Sequence, residues 1–376
     1  MKQSKSAWAE IHVDYLENNL RIVRSSLAKP CRVCGVLKAD AYGHGLAGVM
    51  RILSDNHLVD MIAVGKFSEL AFLNRERPGD SMEMLLLGAA DTGEIGEGIR
   101  EGQLDPARSI FSVYSMRQFQ ELESMAEALS MRIRVHIRID GWNTGMGVCY
   151  EEFLSAEERI FSSGNLEVCG VYSHLYTSYS EDLELNRKQL QCFDAFIKSI
   201  RPEHRELITV HILNSALVFS FPEYCYDMVR VGTALYGLAC GDGGRLRPVM
   251  RICAKIFEVC DVDSSAPLSY ESALSQGGKR RIARIMLGYW DIPLLLTQKD
   301  VRICIRGRLF YLADDICMDN LCIDVTGAED ILPGDVAVLL GEEGVMVGEI
   351  CERNGIHYVH SEWLCMTAGR LEKVYV

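Results

Sequence analysis

Along the first two-thirds of the chain, short apolar runs alternate with longer stretches whose apolar positions recur every three or four residues. The runs Val33–Leu37, Met61–Val64, Met84–Leu87, Ser109–Val113, Ile133–Ile139, Val168–Tyr172 and Val210–Leu213 are short and rich in β-branched residues, which predicts buried strands. Between them, segments such as Ser115–Leu129 and Glu181–Ile200 carry helical periodicity. Strands separated by helices imply a parallel sheet. About eight such units in roughly 230 residues predict a closed (β/α)8 barrel. After Gly237 the texture changes. Runs such as Arg251–Val262, Arg302–Phe310 and Asp335–Leu340 are β-rich, with turn signals and few helical patterns. The expected architecture is therefore α/β: a barrel over residues 1–240, then a mostly β domain over 241–376. Trp8–Val13 reads as a strand ahead of the first barrel unit.

Composition narrows the class. The 376 residues are 48 % hydrophobic and 24 % charged, enough for a large core. A net charge of −13 with no basic cluster argues against nucleic acid or an anionic membrane as partner. The sequence shows no long apolar run and no charged-then-apolar leader, so neither a membrane span nor a signal peptide is expected. The expected location is the cytoplasm. The 14 cysteines are scattered, and Cys253, Cys304 and Cys365 fall in apolar runs, where a thiol serves as a small hydrophobe. Cys31 and Cys34 make a C-x-x-C pair. No second ligand pair and no helix start accompany it, so it reads as structural and no metal site is expected.

The chemistry centres on Lys38. The apolar run from Val33 ends at this lysine, and Ala39-Asp40-Ala41-Tyr42-Gly43-His44-Gly45 follow. A lysine at the end of a buried strand is costly unless it is used. Desolvation lowers its pKa and frees the amine for Schiff-base chemistry. Further strand ends carry polar groups of the right kind to join it. Gly170-Val171-Tyr172-Ser173-His174 ends in a histidine, and His211-Ile212-Leu213-Asn214-Ser215 ends in a serine. Met228-Val229-Arg230-Val231-Gly232-Thr233-Ala234-Leu235-Tyr236-Gly237 carries an arginine and then a glycine. Barrel enzymes place their sites at such C-terminal strand ends.

These segments resemble, in order and along nearly the whole chain, the motifs of the alanine racemase family. Lys38 to Gly45 follows that family's K-A-[DN]-A-Y-G-H-G without a break. The resemblance implies a (β/α)8 barrel that binds pyridoxal 5'-phosphate (PLP) through Lys38. It implies cofactor contacts from Tyr42, His174, Ser215, Arg230, Gly232 and Thr233. Arginine cannot act as an acid near neutral pH, so placing Arg230 against the pyridine nitrogen leaves that nitrogen unprotonated and the ring a weaker electron sink. In the second domain, Leu268-Ser269-Tyr270-Glu271 and Ile316-Cys317-Met318-Asp319-Asn320 resemble two further motifs. By resemblance, Tyr270 is a second base and Met318 binds the substrate carboxylate, both across a homodimer. The resemblance also implies that the opening strand joins the second domain. The implied activity is racemisation of a small amino acid, alanine by default, with Lys38 and Tyr270 on opposite faces of Cα.

The chain also departs from the pattern. In ungapped register with K-x-D-T-G-M-x-R, Gly145 stands where the family has an arginine, and Arg138 stands where it has a lysine that is often carbamylated. Period-two alternation puts His136, Arg138 and Asp140 on one face, so Arg138 is a candidate replacement for the missing charge at the cofactor and substrate. Ser361 stands where the family has an active-site tyrosine that contacts the cofactor phosphate. The segment Gly288–Pro293 lacks the arginine of the family's entrance motif. Family members that prefer serine also carry a small polar residue at the Ser361 position, so a serine racemase remains open. A PLP-binding relative with little racemase activity also remains open, because of Gly145. A related-barrel decarboxylase fits less well, since the glycine-rich phosphate loop of that group is absent.

Overall fold

The computed structural model of the chain describes residues 6–376 except 143, 176, 179, 181, 239–241, 264, 266, 269–277, 294–300, 342–360 and 367–368. Strand β1 (Ala7–Ile11) opens the chain. Strands β2 (Arg32–Val36), β3 (Met61–Val64), β4 (Met84–Leu86) and β5 (Ser109–Val113) follow. Next come β6 (Ile133–Arg138), β7 (Leu166–Tyr172), β8 (Thr209–His211) and β9 (Met228–Val231). From β2 to β8 each strand pairs in parallel with the next, and β9 returns to pair with β2. The backbone N–H of Arg230 also donates to Leu213 O at 3.0 Å, which draws β9 to the far side of the ring. The result is the expected barrel. Strands β3, β4 and β5 are buried at every position. A parallel sheet covered on both faces needs apolar residues on both, which is why these strands read as unbroken runs.

Some of the helices start at a side-chain cap. Ser115 Oγ accepts from Gln118 N at 3.1 Å ahead of the helix Met116–Ala128. The Asp182 carboxylate accepts from Glu184 and Leu185 N–H ahead of Leu183–Ser199. Each cap satisfies donors that the first helical turn leaves open.

The second sheet is mostly antiparallel. It comprises β10 (Met250–Asp263), β11 (Lys279–Ile285), β12 (Arg302–Ile305), β13 (Arg308–Leu312), β14 (Leu321–Asp324), β15 (Val336–Leu340) and β16 (Glu372–Tyr375), with β1 between β10 and β16. The apolar run Arg302–Phe310 is two strands. Arg306 and Gly307, with φ of 51° and 73°, form the tight turn between them, and this left-handed pair suits the twist of a hairpin.

One core runs through both sheets, from Val33 and Ile62 in the barrel to Ile252 and Ile323 beyond it. Cys253 and Cys304 pack with Val338 in a smaller cluster, as small hydrophobes. Cys365 differs from that expectation: it lies in the short helix Ser361–Met366 and is exposed. No helix among the described residues is long and apolar enough to cross a membrane.

Candidate active site

A cavity of about 440 Å³ opens at the C-terminal ends of the barrel strands. Its wall includes Lys38, Tyr42, His174, Ser215 and Arg230. Gly232, Thr233, Arg138 and Ser361 complete the set of sequence candidates that meet there.

Lys38 is carried by an unusual turn. Leu37 is buried, and its N–H donates to Ala63 O at 2.8 Å, so the strand register holds up to the residue before the lysine. Ala39, Asp40, Ala41 and Tyr42 then all adopt left-handed φ, between 53° and 56°. Each such residue costs roughly 1–2 kcal/mol relative to right-handed geometry. The turn has its own hydrogen bonds, Ala41 N to Leu37 O at 2.8 Å and Gly43 N to Ala39 O at 3.0 Å. The Glu69 carboxylate pins it to the next strand end. It accepts from Ala39 N at 2.7 Å and Gly65 N at 2.9 Å. Gly65 itself has no room to spare, because a Cβ there would lie 3.1 Å from Lys38 Cβ. The expectation that strand burial desolvates Lys38 does not hold: the side chain is exposed in the cavity mouth. The chain turns sideways immediately after Leu37, and that turn delivers the amine to the opening.

Arg230 is held in the opposite way. It is 3 % exposed on a regular strand. Its Nη2 donates to Ser173 O at 2.9 Å and Ile212 O at 3.3 Å, and its Nη1 to His211 Nδ1 at 2.8 Å. Since Arg230 has only donors, His211 Nδ1 must be unprotonated. His211 therefore carries its proton on Nε2, which faces His136 Nδ1 at 3.0 Å. Burial, then the Arg230 charge, holds His211 well below the usual histidine range. Burial likewise takes His136 down to about 3. The result is a one-way chain of donors from a cation to two neutral imidazoles. The ring of Tyr172 stacks on His211 at 4.9 Å and lies under the guanidinium.

Ser215 Oγ accepts from Gly232 N at 2.9 Å and Ala234 N at 3.1 Å. A hydroxyl that accepts twice keeps its own proton free to donate into the cavity. Gly232 is required: a Cβ there would lie 2.6 Å from the Tyr42 hydroxyl. His174 is reachable from the cavity yet enclosed by protein. Enclosure, then the charges of Arg230, Arg138 and Lys38, takes its imidazole down to about 3. Arg138 lies 9 % exposed at the end of β6. Its Nη1 donates to Tyr114 Oη at 3.3 Å, and Tyr114 Oη donates in turn to Leu87 O.

Not every candidate meets at this cavity. Met318 is 51 % exposed in the second domain and lies outside the wall. Its carbonyl accepts from Trp290 N at 3.2 Å. Tyr270 lies outside the described residues. Gly145 is also outside the wall. It has a left-handed φ of 76° and donates its N–H to Asp140 Oδ2 at 2.7 Å, so an arginine at this point would be strained. Two contributors were not singled out in the sequence, Glu69 and Tyr114. Each follows a strand end closely, which is the only signal that marks them.

A strand-end lysine, a buried arginine, a serine and a glycine-bearing turn around one cavity define a barrel site suited to an anionic, amine-reactive group. Sequence models of the alanine racemase N-terminal domain and C-terminal domain match residues 11–240 and 249–375. Alanine racemase 2 of Caldanaerobacter subterraneus subsp. tengcongensis is 28 % identical over 376 residues, covering 98 % of this chain and 94 % of that protein. The solved alanine racemase of Clostridium difficile 630 is 29 % identical with a TM-score of 0.88, covering 100 % of this chain and 97 % of that one. A Bartonella henselae alanine racemase with covalently bound pyridoxal phosphate shares the fold, with a TM-score of 0.81 at 20 % identity and coverage of 99 % and 100 %. The chain belongs to the alanine racemase family, a family of PLP-dependent amino-acid racemases.

The residues present fit PLP. The exposed amine of Lys38 can reach a carbonyl carbon. The spare Ser215 proton and the close approach that Gly232 permits suit a phosphate. Arg230 supplies donors only, which suits an unprotonated ring nitrogen.

Proposed function

We propose that the protein is a cytoplasmic, homodimeric, PLP-dependent alanine racemase. The observation that carries this reading is the meeting of Lys38, His174, Ser215 and Arg230 around one cavity in this family's fold. Bound PLP would supply the electron sink that acidifies the Cα–H bond of an amino acid. Lys38 holds the cofactor and moves a proton at Nζ on one face of Cα. Tyr270 of a second subunit serves the other face, a role supported by its sequence motif. Ser215, Tyr42, Gly232, Thr233 and Ser361 hold the phosphate end. Arg230 and His174 would flank the ring, and His174, taken down to about 3 by enclosure, is too weak a base to compete for the proton, so it orients. Arg138 provides positive charge toward the substrate carboxylate, together with Met318 from the partner.

Two measurements on purified, PLP-loaded protein test the reading. Borohydride should fix the cofactor on Lys38, as read by mass spectrometry. A chiral assay should convert L-alanine to D-alanine faster than it converts L-serine. A label on another lysine, or no D-alanine from loaded protein, overturns it. Shared sites are tested by mixing Lys38→Ala and Tyr270→Ala subunits: verified mixed dimers should regain activity that neither parent has.

A further inference from the structure

The left-handed turn under Lys38 is held from an unexpected side. The last strand of the chain, β16, packs against it. Tyr375 Oη donates to His44 O at 3.1 Å and lies 3.3 Å from Gly45 O. Lys373 Nζ lies 3.6 Å from Asp40 Oδ2, and Asp40 is the second of the four left-handed residues. The other oxygen of Asp40 accepts from Leu46 N at 2.7 Å, so one carboxylate joins the turn, the following helix and β16. The glycines nearby make room for this contact. A Cβ at Gly48 would overlap the Tyr375 ring, and a Cβ at Gly45 would meet its hydroxyl. Gly48 sits inside the helix Leu46–Asp55, where glycine is otherwise unfavourable. His44 completes the contact. It is fully buried, its Nδ1 lies 3.0 Å from both Ala41 O and Tyr42 O, and its ring stacks on Tyr236. The end of the chain is itself tied down, because Val376 N donates to Ile11 O at 3.0 Å and Val13 N to Val376 O at 2.9 Å.

We propose that the C-terminal strand is a positioning clamp for the lysine: Tyr375 and Lys373 hold the left-handed turn and thereby set where the Lys38 amine sits. Neither residue lines the cavity, so each acts through Lys38 and touches no reacting atom. The inference rests on the proposed role of Lys38. A strained turn with only its own hydrogen bonds relaxes toward commoner geometry, and partners outside the turn are what keep it in place. The second domain thus contributes to the barrel's own site within one chain, besides anything it gives to a partner.

Tyr375→Phe keeps the ring and removes the hydroxyl, and Lys373→Met removes the charge while keeping the stem. Hydrogen exchange on the full chain reads the turn directly through the amides of Ala41 and Gly43. Losing one hydrogen bond of ordinary strength should speed their exchange about threefold to tenfold in each variant, with barrel-strand amides unchanged. In the holoenzyme, hydroxylamine should strip the cofactor faster by a similar factor, and kcat should fall while KM stays within about twofold. Lys373→Arg should restore all three. Unchanged exchange at Ala41 and Gly43 overturns the clamp, and so does a uniform rise across the whole chain. If Tyr375→Phe does not fold, Lys373→Met carries the same test. If borohydride marks another lysine in the unmodified protein, the proposed function fails, while the exchange arm still decides whether β16 holds the turn.

Discussion

Arg230 lies on β9 and Lys38 just beyond the end of its neighbour β2; both line the same cavity, yet they are built on opposite principles. Arg230 sits on regular strand backbone, buried, with backbone carbonyls and a histidine accepting its hydrogen bonds. Lys38 starts a strained left-handed turn, is exposed, and depends on Glu69, Asp40 and the end of the chain to hold its backbone. The difference fits the roles proposed for the two residues. A group that sets a fixed charge is best placed where nothing can move, and its donors can also satisfy buried carbonyls. A group that bonds, releases and carries protons must reach open space, so its backbone is pinned and its side chain left loose. Removing the two should therefore have opposite signatures.

Lys38→Ala carries the largest expected effect. Activity should fall by more than about a thousandfold, and borohydride should no longer fix the cofactor. Stability should change by less than about 1 kcal/mol, because an exposed side chain with little packing is lost. Arg230→Ala should reverse the balance in stability. It strands the buried carbonyls of Ser173 and Ile212, which should cost about 2–4 kcal/mol. Urea unfolding of the two variants without cofactor checks this. Equal losses of stability would break the comparison.

The same contrast explains what could be read beforehand. Ser215 and His174 follow regular strands, and the alternation of apolar runs located those two strands to within a residue or two, whereas the strand that carries Arg230 was marked only by its motif. Strand β3 begins at Met61 and ends at Val64, as its hydrophobic run does. The barrel was legible because parallel strands covered on both faces leave a continuous apolar trace. The Lys38 turn was not legible. Four non-glycine residues in left-handed geometry contradict local preference, and contacts with residues far along the chain help to sustain them. Nothing around Lys38 in sequence points to Lys373 or Tyr375. The burial expected of Lys38 failed for the same reason, since a strand pattern cannot tell where the chain leaves the strand axis. The hairpin turn at Arg306 was hidden for a related reason: an arginine at left-handed φ carries no turn signal of its own.

Arg138 lies between the two extremes and sharpens the scale. It is buried like Arg230, and it donates to a tyrosine that is itself tied to Leu87 O. If it serves the substrate carboxylate, Arg138→Ala should raise KM for alanine about tenfold or more, the worth of one charge-assisted hydrogen bond. Arg117→Ala is the control, since that side chain is 83 % exposed. Tyr114→Phe should reproduce part of the effect, because it removes one hydrogen bond of the arginine without removing the charge. Equal KM values in Arg138→Ala and Arg117→Ala would place Arg138 with the structural arginines.

Ser361 offers the smallest expected effect and the finest test of how tightly the lysine side of the cavity is specified. It starts the short helix Ser361–Met366 and lines the cavity with Lys38 and Tyr42. A serine leaves volume that a tyrosine would fill and offers a hydroxyl in its place. Room alone discriminates weakly between alanine and serine, whereas a partner for the substrate hydroxyl discriminates strongly. Ser361→Tyr separates the two effects. If Ser361 accommodates a substrate hydroxyl, the ratio of kcat/KM for serine to that for alanine should fall about threefold to tenfold in the variant, with Lys38 still carrying the cofactor. The added phenol should also tighten PLP, because it brings one more donor near the phosphate end. An unchanged ratio with tighter PLP would assign Ser361 to the cofactor alone and leave substrate choice to the Arg138 side of the cavity.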